Sequence, residues 1–208
     1  MEKIFDKLGV YDFWGTFFPG LVGLLVIDLC FFDLNSYIDN FKVGYELVVF
    51  VTFSYLLGIV LHEIGHFIQE NILYSEGEPC DIFLLNGNVF SKDETEIHLK
   101  LYKTWARKNE VDVIPDSFKC RMFFNYCDYF ISDNVKASKM QSIYGMSRSL
   151  MVLSGLVVLF GVIRFKWIIC VNSIVSLLIF TYRTKRFNEI RLKVVMRTYF
   201  VEQKDKYD

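Results

Sequence analysis

The chain has 208 residues, 53% of them hydrophobic, including 21 Phe and 12 Tyr. Its mean hydropathy is +0.30, and the apolar residues gather into long runs, which excludes an ordinary soluble domain and makes lipid the solvent for part of the chain. The net charge of −1 gives no argument for nucleic acid or an anionic surface as partner, and five cysteines without CxxC spacing argue against a disulfide framework or a cysteine zinc site.

Residues 1–11 carry Lys3 and Lys7 ahead of an apolar stretch, with no small-residue cleavage site after it, so the first helix is expected to stay as an anchor. That stretch, roughly 13–32, contains Pro19-Gly20 early and Asp28 near its far end. An ionisable group in a span belongs on a bundle interior or against water, so Asp28 is a candidate for a pore-lining or helix-pairing role. The following loop holds Asp33, Asp39 and Glu46 against Lys42 alone, and by the positive-inside rule it faces outward.

A second helix is expected over roughly 45–70. At ~1.5 Å per residue it is about 39 Å long against a ~30 Å hydrocarbon core, so its last turns reach the inner edge of the membrane. Those turns spell His62-Glu63-Ile64-Gly65-His66. Histidines four apart on a helix share a face, so His62 and His66 are candidate zinc ligands and Glu63 a candidate general base, the pattern of a metalloprotease. Such a site needs a third protein ligand, and His98 is the sole remaining histidine. The competing reading makes Tyr55, Gly58, His62, Gly65 and His66 a helix-packing face, with small residues for close approach and polar ones bonding between helices.

Residues 71–134 have a soluble composition. Asn86-Gly87-Asn88 signals a turn, and Ser91 with Glu94 forms a capping-box pattern that opens a helix to about Lys108, with Ile97, Leu101 and Trp105 on its packed face. A further helix is expected from Pro115, with Phe118, Met122, Tyr126 and Phe130 along one side. Asn134 could cap a third helix through Lys136, Lys139 and Arg148, which turns apolar over 149–163; a last apolar stretch covers 167–182. At ~15 residues each, these two fall short of the ~17–25 needed to span and suggest a short tilted hairpin. The tail from 183 holds eight Lys or Arg against four Asp or Glu and belongs near anionic headgroups on the cytoplasmic side.

The fold expected is therefore an all-α membrane protein with about four transmembrane helices and a cytoplasmic helical subdomain. Its parts are an N-terminal helix pair (1–70), the subdomain (71–147), a C-terminal hairpin (148–182) and a basic tail (183–208). Lys136, Lys139, Arg148, Arg183, Lys185 and Arg186, with Tyr126, Tyr129 and Tyr144 interleaved, could bind phosphate and stack a base; the same residues also read as a plain positive-inside signature. No Walker loop, GxSxG or Ser/His/Asp set can be assembled.

Four segments carry a resemblance: Tyr11-Asp-Phe-Trp-Gly-Thr-Phe-Phe-Pro-Gly20, Gly58-Ile-Val-Leu-His-Glu-Ile-Gly65, Met140-Gln-Ser-Ile-Tyr-Gly-Met-Ser-Arg-Ser149 and the tail from Arg183 to Phe200. Together they resemble small bacterial four-span membrane proteins similar to the effectors of anti-phage defence operons, nearest to the Hailong A type. In that family the position of His62 often carries Gln and that of His66 often Ser, which would make HEIGH a variant of a packing motif. The resemblance implies an oligomeric, tetrameric ion channel in the bacterial inner membrane; the charge distribution puts both termini on the cytoplasmic side. The resemblance also implies gating by an oligodeoxyadenylate-like ligand made by a partner nucleotidyltransferase, with neither enzymatic activity nor a cofactor. Lys136, Lys139, Tyr144 and Arg148 are the candidate ligand residues by location. The alternative remains a zinc metalloprotease, and a third possibility is a scaffold that anchors a partner.

Overall fold

The computed structural model describes residues 12–31, 45–75, 77–85, 89–131, 135–163 and 166–204. Among these every regular element is helical. A π-helical turn, Asp12–Phe17, leads into α1 (Phe18–Phe31). Helix α2 (Tyr45–Ile68) continues through a second π-helical turn, Gln69–Leu73. Then come α3 (Pro79–Ile82), α4 (Lys92–Lys108), α5 (Ser117–Phe130), α6 (Val135–Ile163) and α7 (Trp167–Lys204). The loop expected to face outward after residue 32, the Asn86–Asn88 turn and the Asn134 cap lie outside the described residues.

Among the described residues three helical stretches are long and apolar enough to cross a membrane: Leu47–Leu73, Lys136–Ile163 and Trp167–Gln203. Asp12–Ile27 is a shorter apolar helix. The two stretches expected to form a short hairpin are parts of helices of 29 and 38 residues. Helix α6 begins in the charged segment with Lys136 and Lys139, as the sequence suggested, and α7 continues past the charges of Arg183, Lys185 and Arg186; inside both helices the hydroxyl side chains are satisfied by the helix itself. Ser147, Ser154, Thr181 and Thr184 donate to the carbonyls of Ile143, Leu150, Leu177 and Phe180, one turn back, at 2.7 to 2.8 Å. A residue that satisfies its own polar group this way does not interrupt an apolar helix.

The chain divides into two compact units. The first comprises residues 1–69 and 141–185, and the second residues 70–140 and 186–208.

In the first unit α1 and α2 pack through small residues. A Cβ on Gly20 would fall on the Ser54 carbonyl oxygen, and one on Gly58 on the Thr16 carbonyl oxygen, so the two backbones touch. Ser54, Gly58, Leu61 and Gly65 make up the buried stripe of α2, at spacings of four, three and four. Phe53, Leu56, Val60 and Phe67 point outward. Tyr55 and His66, expected on the packed face, are also exposed. The face is set by where backbone can approach backbone, which only small side chains permit.

The second unit is built the other way. Ser91 Oγ accepts from the Glu94 amide and Glu94 accepts from the Ser91 amide, both at 3.3 Å, so the capping box opens α4 where the pattern placed it. Asp116 caps α5 by accepting from the Lys119 amide at 2.8 Å. The core joins Phe83, Tyr102, Trp105, Phe123, Met196 and Tyr199, with Trp105 and Tyr102 at 5.3 and 5.6 Å from Phe123. The Tyr102 hydroxyl donates to the Asp112 carbonyl at 3.0 Å.

Two faces differ from expectation. Helix α5 buries Cys120, Phe123, Phe124 and Cys127, leaving Phe118 at 73% exposure and Met122 and Phe130 outside. Helix α4 buries His98, Tyr102, Trp105 and Ala106, and Ile97 is exposed. Both helices carry two apolar stripes. Cysteine, small and among the most buried residue types, marks the winning one on α5. Asp128 fixes that rotation by accepting from Arg191 at 2.9 Å, while the Arg191 guanidinium lies 5.3 Å from the Phe124 ring centre.

Candidate functional site

Within the first unit, the close approach at Gly65 builds a polar cluster inside the bundle. A Cβ there would lie 2.8 Å from Arg148 Cγ, so the missing side chain makes room for the arginine stem crossing α2. The guanidinium then reaches two residues of the other helix. Its Nη2 lies 2.5 Å from His62 Nε2, and its Nη1 donates to Gln69 Oε1 at 3.2 Å. The Tyr144 ring centre is 5.5 Å from the guanidinium carbon, and Ser149 donates to the Gly15 carbonyl at 3.4 Å.

A guanidinium only donates, so His62 Nε2 must be the acceptor and the ring proton sits on Nδ1. The lone pair that a zinc ion would need at Nε2 faces a cation. Glu63 and His66 are exposed on α2. Arg148 is 5% exposed, and its partners are neutral: among the described residues no carboxylate lies within ion-pair reach of it. A buried, permanently charged group held by neutral acceptors and an aromatic face is costly in a membrane-length helix, and such groups mark functional positions.

The metal-ligating cluster among the described residues lies elsewhere. Glu78, Cys80 and Asp81 hold their ligand atoms within 4.8 Å of one another. A cation of the protein already serves it, since Arg121 donates from Nε and Nη2 to the two Asp81 oxygens at 2.6 Å each. Burial, with Asp81 and Glu78 adding to it, pushes the Cys80 thiol well above its usual range, so it stays protonated. The group is a carboxylate–guanidinium pair with a thiol beside it.

The second unit also carries a basic cleft. Lys136 from the first turn of α6 and Lys193 and Arg197 from α7 line a cavity of about 240 Å³ with Ile190, Val194 and Thr198. Of the four ligand candidates, Lys136 lines this cleft and Lys139 is exposed but does not, whereas Tyr144 and Arg148 are buried in the first unit. Asp28 falls on α1, with its side-chain environment outside the described residues. Lys193 and Arg197 had a sequence signal, their i, i+4 spacing in the tail; Gln69 had none.

No family model, no curated protein and no solved structure matches the chain. Fold and site together describe an all-helical protein with three membrane-length helices, a buried arginine network in one unit and a basic cleft in the other.

Proposed function

We propose that the protein is a membrane effector of bacterial anti-phage defence, of the Hailong A type. It acts as an oligomeric, tetrameric ion channel of the inner membrane whose opening arrests growth of the infected cell. In this reading the first apolar helix supplies a fourth span and both termini are cytoplasmic. A nucleotide-derived, oligodeoxyadenylate-like ligand made by a partner nucleotidyltransferase controls the gate, and no cofactor takes part.

The observation that carries the reading is the Arg148 network. It uses His62 and Gly65 of the HEIGH string to pair two membrane-length helices, which supports a packing role for the string and a polar element within the span, as ion pathways require. Glu63 and His66, exposed on the outer face of α2, favour an assembly in which neighbouring chains or water meet them. The metalloprotease reading, with His62 and His66 as ligands and Glu63 as base, requires the Arg148 contact to be given up first.

The test is ion flux from proteoliposomes of the purified protein, with zinc analysis of the same sample and Glu63→Gln in a phage-protection assay. The channel reading expects flux, sub-stoichiometric zinc and an active Glu63→Gln variant. About one zinc per chain with an inactive, folded variant would overturn it in favour of the protease.

A further inference from the structure

We infer that the cleft between the first turn of α6 and the basic face of α7 seats a phosphate ester group. Three features of different origin meet there. The first is uncompensated charge. Glu94 accepts from Arg197 Nε at 3.0 Å and from Nη2 at 2.8 Å, which fixes the guanidinium at the cleft. Lys136 and Lys193 have no carboxylate within ion-pair reach among the described residues. With Glu94 counted, the three cations leave a surplus of two positive charges over the carboxylates paired with them among the described residues. Lys193 and Arg197 are four residues apart on one helix, where like charges repel unless an anion lies between them.

The second feature is the helix end. Helix α6 runs for 29 residues and has no acidic residue in its first turn. Its amide groups and dipole therefore add positive potential where Lys136 stands. The third is the wall. Ile190 and Val194 give an apolar side that strengthens the local field, and the Thr198 hydroxyl adds a neutral donor. Two ammonium groups, the Arg197 Nη1 that the Glu94 pair leaves over and a hydroxyl match an oxyanion with several acceptor oxygens and more than one negative charge, better than they match a single carboxylate.

A phospholipid headgroup and a soluble nucleotide-derived molecule share this chemistry. The inference deepens the ligand-gated reading, because it assigns the anion contact to residues of the second unit and leaves Tyr144 and Arg148 to the helix bundle. It rests on that reading only for the consequence of binding.

The experiment uses the full chain in nanodiscs of phosphatidylcholine, titrated with tripolyphosphate by isothermal calorimetry, and repeats the titration in discs containing phosphatidylglycerol. Tripolyphosphate should bind the wild-type protein in the zwitterionic discs. Lys193→Glu should weaken it at least about tenfold and Lys136→Gln about threefold, with thermal unfolding unchanged. Lys108→Glu, on an exposed residue at the end of α4 that does not line the cleft, should leave it within about twofold. Loss of wild-type binding in the phosphatidylglycerol discs would assign the site to a headgroup; retained binding would assign it to a soluble phosphate. Absence of binding in the zwitterionic discs, or equal affinity in wild type and Lys193→Glu, would overturn the inference. Ion flux on the same preparations separates the two claims: lost binding sites with intact flux condemn the cleft alone, and tripolyphosphate binding without any flux condemns the channel alone.

Discussion

The two units are held together differently. In the first, Gly20, Ser54, Gly58 and Gly65 let helices approach closely, with Leu61, Leu150, Met151 and Val152 buried beside them, while Phe53, Leu56, Val60 and Phe67 of α2 face outward. In the second, the interior is Phe, Tyr, Trp, Met and Cys, and the exterior carries most of the charge. For a helix solvated by lipid, a large apolar side chain gains nothing by moving inward, so such helices associate by bringing backbones together and by hydrogen bonds between them. In water the same side chain gains about 1.5–3 kcal/mol on burial, and it takes the interior. The contrast is what a first unit solvated by lipid and a second solvated by water would produce.

Substitutions that ignore this difference should have the largest effects. Gly58→Leu forces a side chain onto the Thr16 carbonyl. It should cost about 4 kcal/mol or more and abolish a monodisperse peak in detergent, whereas Leu56→Ala on the outer face of the same helix should elute as the wild type does. Next, Phe123→Ala in the second unit empties a fully buried aromatic site and should destabilise that unit by about 3–5 kcal/mol in urea melts. A similar loss from Leu56→Ala would break the comparison.

His98 gives the second unit a pH dependence. It is 3% exposed, its ring lies 4.6 Å from Phe90, and Nδ1 has no hydrogen-bond partner among the described residues. Burial, with Arg197 adding to it and Glu94 opposing it, lowers its pKa from 6.5 to about 4. The folded form thus binds a proton less readily than the unfolded chain. The stability it contributes is full above about pH 6.5 and is lost as the pH falls towards 4, to a total of about 3 kcal/mol. Urea midpoints at pH 7.5 and 4.5 should differ accordingly, and His98→Leu should remove most of the slope. The smallest effect should come from Phe118→Ser. At 73% exposure this residue should change stability by less than about 0.5 kcal/mol, despite belonging to the more regular apolar stripe of α5.

Local chemistry was legible in the sequence where one residue acts on its neighbours. The Ser91–Glu94 box and the run of α2 into the HEIGH string were both readable. Rotation of a helix was not. On α5 the 118–122–126–130 stripe and the 120–123–124–127 stripe are both apolar, and only partners distant in sequence, Arg191 and Tyr199 among them, choose between them. The course of α6 from Lys136 into its apolar half was readable, but the reach of α7 was hidden, because Arg183, Lys185 and Arg186 end the apolar run in sequence without ending the helix. The Arg148 network was half visible. His62 and Arg148 both stood out, but their pairing depends on Gly65 having no side chain and on Gln69, which no spacing rule marks.

The most direct test of the two-solvent account is accessibility in intact membranes. Phe53→Cys on the outer face of α2 and Phe118→Cys on α5, each in a background with the native cysteines changed to alanine, would be exposed to a membrane-impermeant maleimide in inverted vesicles. Both residues are exposed in the chain, at 58% and 73%, so packing alone predicts equal labelling. The account predicts that Phe118→Cys labels at once and that Phe53→Cys labels only after detergent is added. Equal labelling of the two in intact vesicles would contradict it.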